Sequence, residues 1–258
     1  MLRIAGKLLA PRLVVFDKDG TLIAFDRLWH TWFARFMGAL QAETPLDAAT
    51  LRGVADTLGY DPDTDVWDPL GPLTLATTRE IVLLVAGQLY RHRKCRGWDA
   101  ALALAEKAEI SARAHLNLDE LIEPVGDVRG TLGRLQEVGI TLAVVTTDNR
   151  VPTEHTLSRL GLLPLFAALV CGDDGLPNKP APEMALEACR QVGIPPAQAA
   201  MIGDTIADMH MARKAGYGWA IGVTSGALPG EVLAEHADLV IPDINAIQIV
   251  QSQENAQQ

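Results

Sequence analysis

Cysteine is scarce in this 258-residue sequence. The three that occur, Cys95, Cys171 and Cys189, are odd in number and far apart. That spacing gives no disulfide framework and no paired-cysteine zinc motif, and it suits a reducing cytoplasm. Long apolar runs are missing as well. No stretch reaches the roughly 18 uninterrupted apolar residues of a membrane-spanning helix. Residues 1–12 carry Arg3, Lys7 and Arg12 around an apolar run too short for a secretory leader, with no small-residue cleavage site. Positive charge is in deficit: 22 Lys and Arg against 32 Asp and Glu give a formal net charge of -10, which argues against non-specific nucleic-acid binding. The six histidines show no ligand spacing. A phosphate-loop signature and a dinucleotide-binding glycine fingerprint are both absent, and Thr224-Ser225-Gly226 departs from a serine-nucleophile elbow.

What is present is a chain that is 48% hydrophobic, enough for a sizeable core in one or two domains. Short apolar runs at 13–16, 140–145, 167–171, 199–202, 219–223 and 239–241 read as strands. Helical patterns at 152–160, 183–192 and 207–215 alternate with them from about residue 125 onward. The last strand precedes a polar tail. Buried strands joined by helices imply parallel pairing, hence an α/β fold with a mostly parallel sheet in three layers.

Between the first two strands lie about 100 residues of helical character. Leu28, Trp29, Trp32, Phe33, Phe36, Met37 and Leu40 fall on one face of a helix, read as a packed core stripe. Helices are expected also near 51–58, 78–90 and 98–116. The division expected is residues 1–23 with 124–258 as the α/β core, and 24–123 as an inserted α-helical domain.

Open parallel sheets bind ligands beyond the carboxyl ends of their strands, so the residues that follow each strand matter most. After the first come Asp17 and Asp19, and after the second Thr146, Thr147, Asp148 and Asn149. Lys179 lies in the Pro-flanked loop after the third. After the fourth come Asp204 and, one turn into a helix, Asp208. Four carboxylates in one small site are costly unless a divalent cation binds or some are protonated. A donor set of oxygen alone favours a hard ion, Mg²⁺ before Zn²⁺. A phosphate could then bridge that ion and Lys179, with Thr146 donating a hydrogen bond, and a carboxylate nucleophile would gain the neutralisation it needs.

Asp17-Lys18-Asp19-Gly20-Thr21, Thr146 after an apolar strand, Lys179 before Pro180, and Gly203-Asp204-Thr205 with Asp208 together resemble the four motifs of the haloacid dehalogenase-like hydrolase superfamily, in its order. Ala215-Gly216 and 237–240 resemble its phosphoglycolate-phosphatase-like branch. The resemblance covers 12–23 and 125–245; the middle segment sits where that family carries a helical cap. It implies a Rossmann-like core and magnesium-dependent hydrolysis of a small phosphorylated metabolite; the composition adds a cytoplasmic setting with no nucleic-acid or membrane partner. It implies that Asp17 is the nucleophile and that Asp19 protonates the leaving alcohol and then activates water. Thr146, Thr147 and Lys179 would hold the phosphate. Asp17, Asp204, Asp208 and the main-chain carbonyl of Asp19 would serve the metal. An acid at position 19 argues for phosphoryl transfer, because a halide leaving group needs no proton. The alternatives are a phosphomutase using the same site, or a non-catalytic binding protein on the same fold.

Lys18 departs from the branch, which commonly has an apolar residue there, and Thr147 stands where many relatives have Asn. Taken singly, the motifs have plainer readings. Asp204 could cap the next helix, and Asp208 could be a solvated helix residue. Asp61, Asp63 and Asp65 alternate like a calcium loop, but Val66 and Pro72 occupy the positions of its glycine and final glutamate, so a polar loop is the better reading. The basic run Arg91, His92, Arg93, Lys94 and Arg96 reads as a solvated helix end. Asp19→Ala is expected to relieve like-charge crowding and so to raise stability.

Overall fold

The computed structural model of the protein describes residues 1–64, 66–68 and 70–250. Asp65 of the calcium-like run and residues 251–258 of the polar tail lie outside the described residues. The chain divides into two compact units, Met1–Phe25 with Ile122–Gln258, and Asp26–Leu121.

The first unit is built on a six-stranded sheet. Its strands in chain order are Leu13–Phe16 (β1), Thr141–Val145 (β2), Ala168–Val170 (β3), Ala199–Gly203 (β4), Trp219–Val223 (β5) and Leu239–Ile241 (β6). The spatial order is β6-β5-β4-β1-β2-β3, and each neighbouring pair is parallel. Helices cover both faces, which confirms the α/β class expected from the sequence. Strands shielded on both sides have no solvent face to fill with polar residues, so β1 and β4 are apolar and buried throughout. Leu13, Val15, Val145, Met184, Met201 and Met209 meet in one core cluster. Truncating a fully buried member such as Met201 to Ala would cost about 2–5 kcal/mol.

The topology fixes where a ligand can bind. The chain runs from β1 outward through β2 and β3, then returns to the opposite side of β1 as β4. Strand order therefore reverses between β1 and β4, and the crevice beyond their carboxyl ends is the switch point of the sheet. Phe16 lies in register with Ile202 on one side and Val144 on the other, so the residues that follow β1, β2 and β4 share one edge.

Some elements differ from the sequence reading. Residues 239–241 are not the last strand before the polar tail: Gln248–Ile249 forms a further strand that pairs antiparallel with Leu2–Ile4, which pairs in turn with Lys7–Leu9. The helix Val128–Glu137 was missed because Gly130 and Gly133 weaken its pattern. Asp127 supports its start, accepting from the Gly130 N–H at 3.0 Å.

The second unit packs the helices Phe25–Glu43, Ala48–Leu58, Thr78–Arg91 and Trp98–Ala114. A short hairpin, Tyr60–Asp61 with Val66–Trp67, adds strand where none was expected. The aromatic stripe is core: Trp32 and Phe36 are fully buried and stack with ring centroids 5.1 Å apart. Thr77 and Glu80 close a capping box at the start of Thr78–Arg91. Asp61 and Asp63 lie 3.4 and 2.5 Å from the Arg52 guanidinium, and Lys94 of the basic run pairs with Asp47 at 2.7 Å.

Candidate active site

Asp17 is the first residue beyond β1, and its N–H donates to the Ile202 carbonyl at 2.9 Å, which ties it to β4 at the switch point. Asp204 is the first residue beyond β4. It does not cap the helix Ile206–Ala215, because Thr205 does. Thr205 Oγ1 accepts from the Asp208 N–H at 3.3 Å, and Asp208 Oδ2 accepts from the Thr205 N–H and hydroxyl at 3.2 and 2.6 Å. This reciprocal cap turns Asp208 inward. It is fully buried, unlike the solvated residue its position alone suggested. Its other oxygen, Oδ1, lies 2.6 Å from Lys179 Nζ. Lys179 Nζ also donates to Asp17 Oδ1 at 2.6 Å. One buried ammonium from the loop after β3 thus bridges a carboxylate at the end of β1 and another one turn past β4.

Asp17, Asp204 and Asp208 each offer an oxygen within 4.8 Å of the others. Burial pushes the Asp17 carboxyl up from 3.8 to about 7; Lys179 pulls against that shift, while Asp208 and Asp19 add to it. Asp204 is raised well above its ordinary value, first by burial and then by the charges of Asp17 and Asp208. For Lys179, burial disfavours the ammonium, but Asp17 and Asp208 outweigh it and hold the group protonated.

Asp204 Oδ2 accepts from the Ala227 N–H at 2.9 Å, whereas its Oδ1 is buried with no hydrogen-bond partner among the described residues. An orphaned carboxylate oxygen of this kind is expensive unless a cation takes it. Three carboxylates with oxygen donors alone fit a hard divalent ion such as Mg²⁺. The pocket around Asp204 is closed by glycine: a Cβ at Gly20 or Gly226 would overlap its carboxylate. Gly20 also has φ +80°, and its carbonyl accepts from Ser225 Oγ at 2.7 Å. The segment Thr224-Ser225-Gly226 is therefore no nucleophile elbow, and serves to lock the turn after β1 against Asp204.

Asp19 occupies a different surrounding. Its two carboxylate oxygens each accept from Lys18 Nζ at 2.7 Å, and the same Nζ lies 3.4 Å from Asp148 Oδ2. Thr146, buried just past β2, accepts from the Asp148 N–H at 3.2 Å. Thr147 is half-buried, with its carbonyl pressed against Gly172, where a Cβ could not fit. Asp17, Lys179, Asp204 and Asp208 are thus joined by direct geometry. Thr146 and Thr147 share their sheet edge, and neither side chain hydrogen-bonds to those four among the described residues.

Sequence reasoning left Lys18, Asp148 and Ser225 without a role. A signal existed for the first two. A lysine two residues past a strand buried on both faces has little water to reach and must be paired, and the acidic residue past the neighbouring strand was an available partner beside Asp19.

The family described as haloacid dehalogenase-like hydrolase matches residues 11–216 of this chain. A phosphoglycolate phosphatase of Pseudomonas savastanoi pv. phaseolicola is 28% identical over 244 residues, spanning 94% of this chain and 80% of its own length. The validoxylamine A 7'-phosphate phosphatase of Streptomyces hygroscopicus subsp. limoneus is 33% identical over 140 residues, 54% of this chain and 64% of its own. Among solved structures, CbbY from Rhodobacter sphaeroides in complex with phosphate superposes with a TM-score of 0.64 at 21% identity, covering 91% of this chain and 95% of that one.

Proposed function

This chain belongs to the haloacid dehalogenase-like hydrolase family, and from that membership we propose that it hydrolyses a small phosphomonoester through a phosphoaspartate on Asp17, with Mg²⁺ as cofactor. The observation that carries this reading is Lys179 bridging Asp17 and Asp208 beside the unpartnered oxygen of Asp204.

Lys179 engages Asp17 Oδ1 and fixes the carboxylate so that Oδ2 is the attacking atom. As the Oδ2–P bond forms, the bond from phosphorus to the leaving oxygen breaks, and Asp19 gives that oxygen a proton. Asp19, now a carboxylate, takes a proton from the water that attacks phosphorus. The Oδ2–P bond then breaks, inorganic phosphate leaves, and Asp17 and Asp19 are restored. Lys179, Thr146 and Thr147 hold the phosphate oxygens. Asp17, Asp204, Asp208 and the Asp19 main-chain carbonyl would hold the metal, which when bound supplies the positive charge that offsets the phosphate and the crowded carboxylates. We assign the inserted helical unit the part of a cap that selects the organic group of the substrate. The free cysteines support a cytoplasmic setting. No helix among the described residues is long and apolar enough to cross a membrane.

A panel of phosphomonoesters assayed for inorganic phosphate, with and without Mg²⁺, tests the proposal. Phosphate release that requires Mg²⁺ and disappears in Asp17→Asn is the expected outcome. Release that persists in that variant would sink the phosphoaspartate. A substrate that is isomerised with little phosphate freed would point to a mutase instead.

A further inference from the structure

We propose that Lys18, anchored by Asp148, is a positioning residue that sets where the Asp19 carboxylate stands. The inference rests on the phosphatase reading, which gives Asp19 its acid–base work.

Lys18 lies two residues past a strand that is buried on both faces, and it is 1% exposed. An ammonium withdrawn from water must find its hydrogen bonds inside the protein. Lys18 Nζ places two of them on Asp19 and lies 3.4 Å from Asp148 Oδ2. Each end of this linkage is itself fixed. The Lys18 carbonyl accepts from the N–H groups of Leu22 and Ile23 at 2.9 and 3.1 Å, which closes the turn after β1. Asp148 bonds Thr146 Oγ1 through its own N–H and accepts from the Asn149 N–H at 2.8 Å. A continuous chain of contacts therefore runs from the end of β2, through Asp148 and Lys18, to Asp19.

The arrangement divides the labour between two buried lysines. Lys179 bridges the nucleophile, Asp17, and the supporting carboxylate Asp208. Lys18 bridges the acid–base, Asp19, and the supporting carboxylate Asp148. Lys179 is thus ion-paired with Asp17, and Lys18 with Asp19. Proton transfer tolerates little misplacement of the donor, so loosening the Lys18 grip should disturb what Asp19 does and leave the Asp17 attack intact.

Lys18→Met keeps the length and removes the charge. Lys18→Gln stands in should the methionine chain not fold, since its shorter amide cannot engage both Asp19 oxygens. Two measurements decide the matter. In crystals of the variant, the Asp19 carboxylate should leave the place it holds in the wild type, while Asp17 and Lys179 stay; an unmoved Asp19 overturns the proposal, whatever the enzyme's activity. In kinetics, an alkyl phosphate should lose about 10- to 100-fold in kcat, part of the ~10²–10⁴ that a general acid contributes, with KM within about twofold. With 4-nitrophenyl phosphate, whose leaving group needs no proton, the pre-steady-state burst should stay within about threefold of wild type. An equal fall for both substrates would make Lys18 merely structural, and no fall for either would leave it without a positioning role. A wild type that shows no burst and no phosphate release refutes the phosphatase reading, and the crystallographic arm then decides the placement of Asp19 by itself.

Discussion

Neutralising the proposed nucleophile should stabilise the metal-free protein, and the gain should depend on pH. Asparagine has nearly the shape of aspartate and can still accept from Lys179, so Asp17→Asn removes a charge and little else. In the metal-free fold, burial holds the Asp17 carboxyl at about 7 against 3.8 ordinarily. Between those values the folded chain retains a proton that the unfolded chain has released, so stability falls as pH rises. The stabilising contribution is complete below the unfolded value and is lost as pH rises through about 7. At about 1.36 kcal/mol per pH unit, the gap corresponds to about 4 kcal/mol. Asparagine has no such loss. The variant should therefore match wild type near pH 4 and exceed it by about 2–4 kcal/mol at pH 8. For a chain of this size that is about 5–15 °C in Tm. Thermal unfolding in EDTA at several pH values, variant against wild type, cancels the titrations the two chains share. Saturating Mg²⁺ should shrink or reverse the difference, since about 100 times Kd of ligand adds about 2.7 kcal/mol to whichever chain binds it. A difference that is the same at pH 5 and pH 8, or wild type gaining on the variant as pH rises, would refute the charge-crowding argument.

Asp19→Ala should slow phosphate release by about 10²–10⁴ and should lower Tm, because it strips Lys18 of its nearest partner, and breaking a buried pair costs about 3–5 kcal/mol. The sequence alone led to a rise, so an unchanged or higher Tm in a melting comparison would restore that view. EDTA should abolish phosphate release, and Mg²⁺ should restore it; full activity in excess chelator would remove the metal from the reaction. Gly20→Ala should weaken Mg²⁺ binding in a calorimetric titration and lower stability by at least about 1–3 kcal/mol. It forces a side chain into a left-handed conformation against the Asp204 carboxylate, so wild-type affinity would count against the closed pocket around Asp204.

The six strands of the main sheet were legible because each is a short apolar run cut off by polar residues, which is what burial on both faces demands. Gln248–Ile249 was not legible, since its partner Leu2–Ile4 lies at the opposite end of the chain and no local pattern encodes that pairing. The same division separates the residues of the site. Asp17, Lys179, Asp204 and Asp208 could be singled out by their types and their places at strand ends. The Asp208 capping box and the grip of Lys179 on it required the fold. Lys18 is the clearest instance. Its type says only that it carries a charge, and as a departure from the family pattern it pointed to substrate choice without naming a contact. The pairing of β1 with β2 puts Asp148 within its reach and water out of it. That pairing reverses the sign expected for Asp19→Ala: the carboxylate is no longer one repelling charge among four, but the counter-ion of a lysine whose other ion pair among the described residues is the longer one to Asp148.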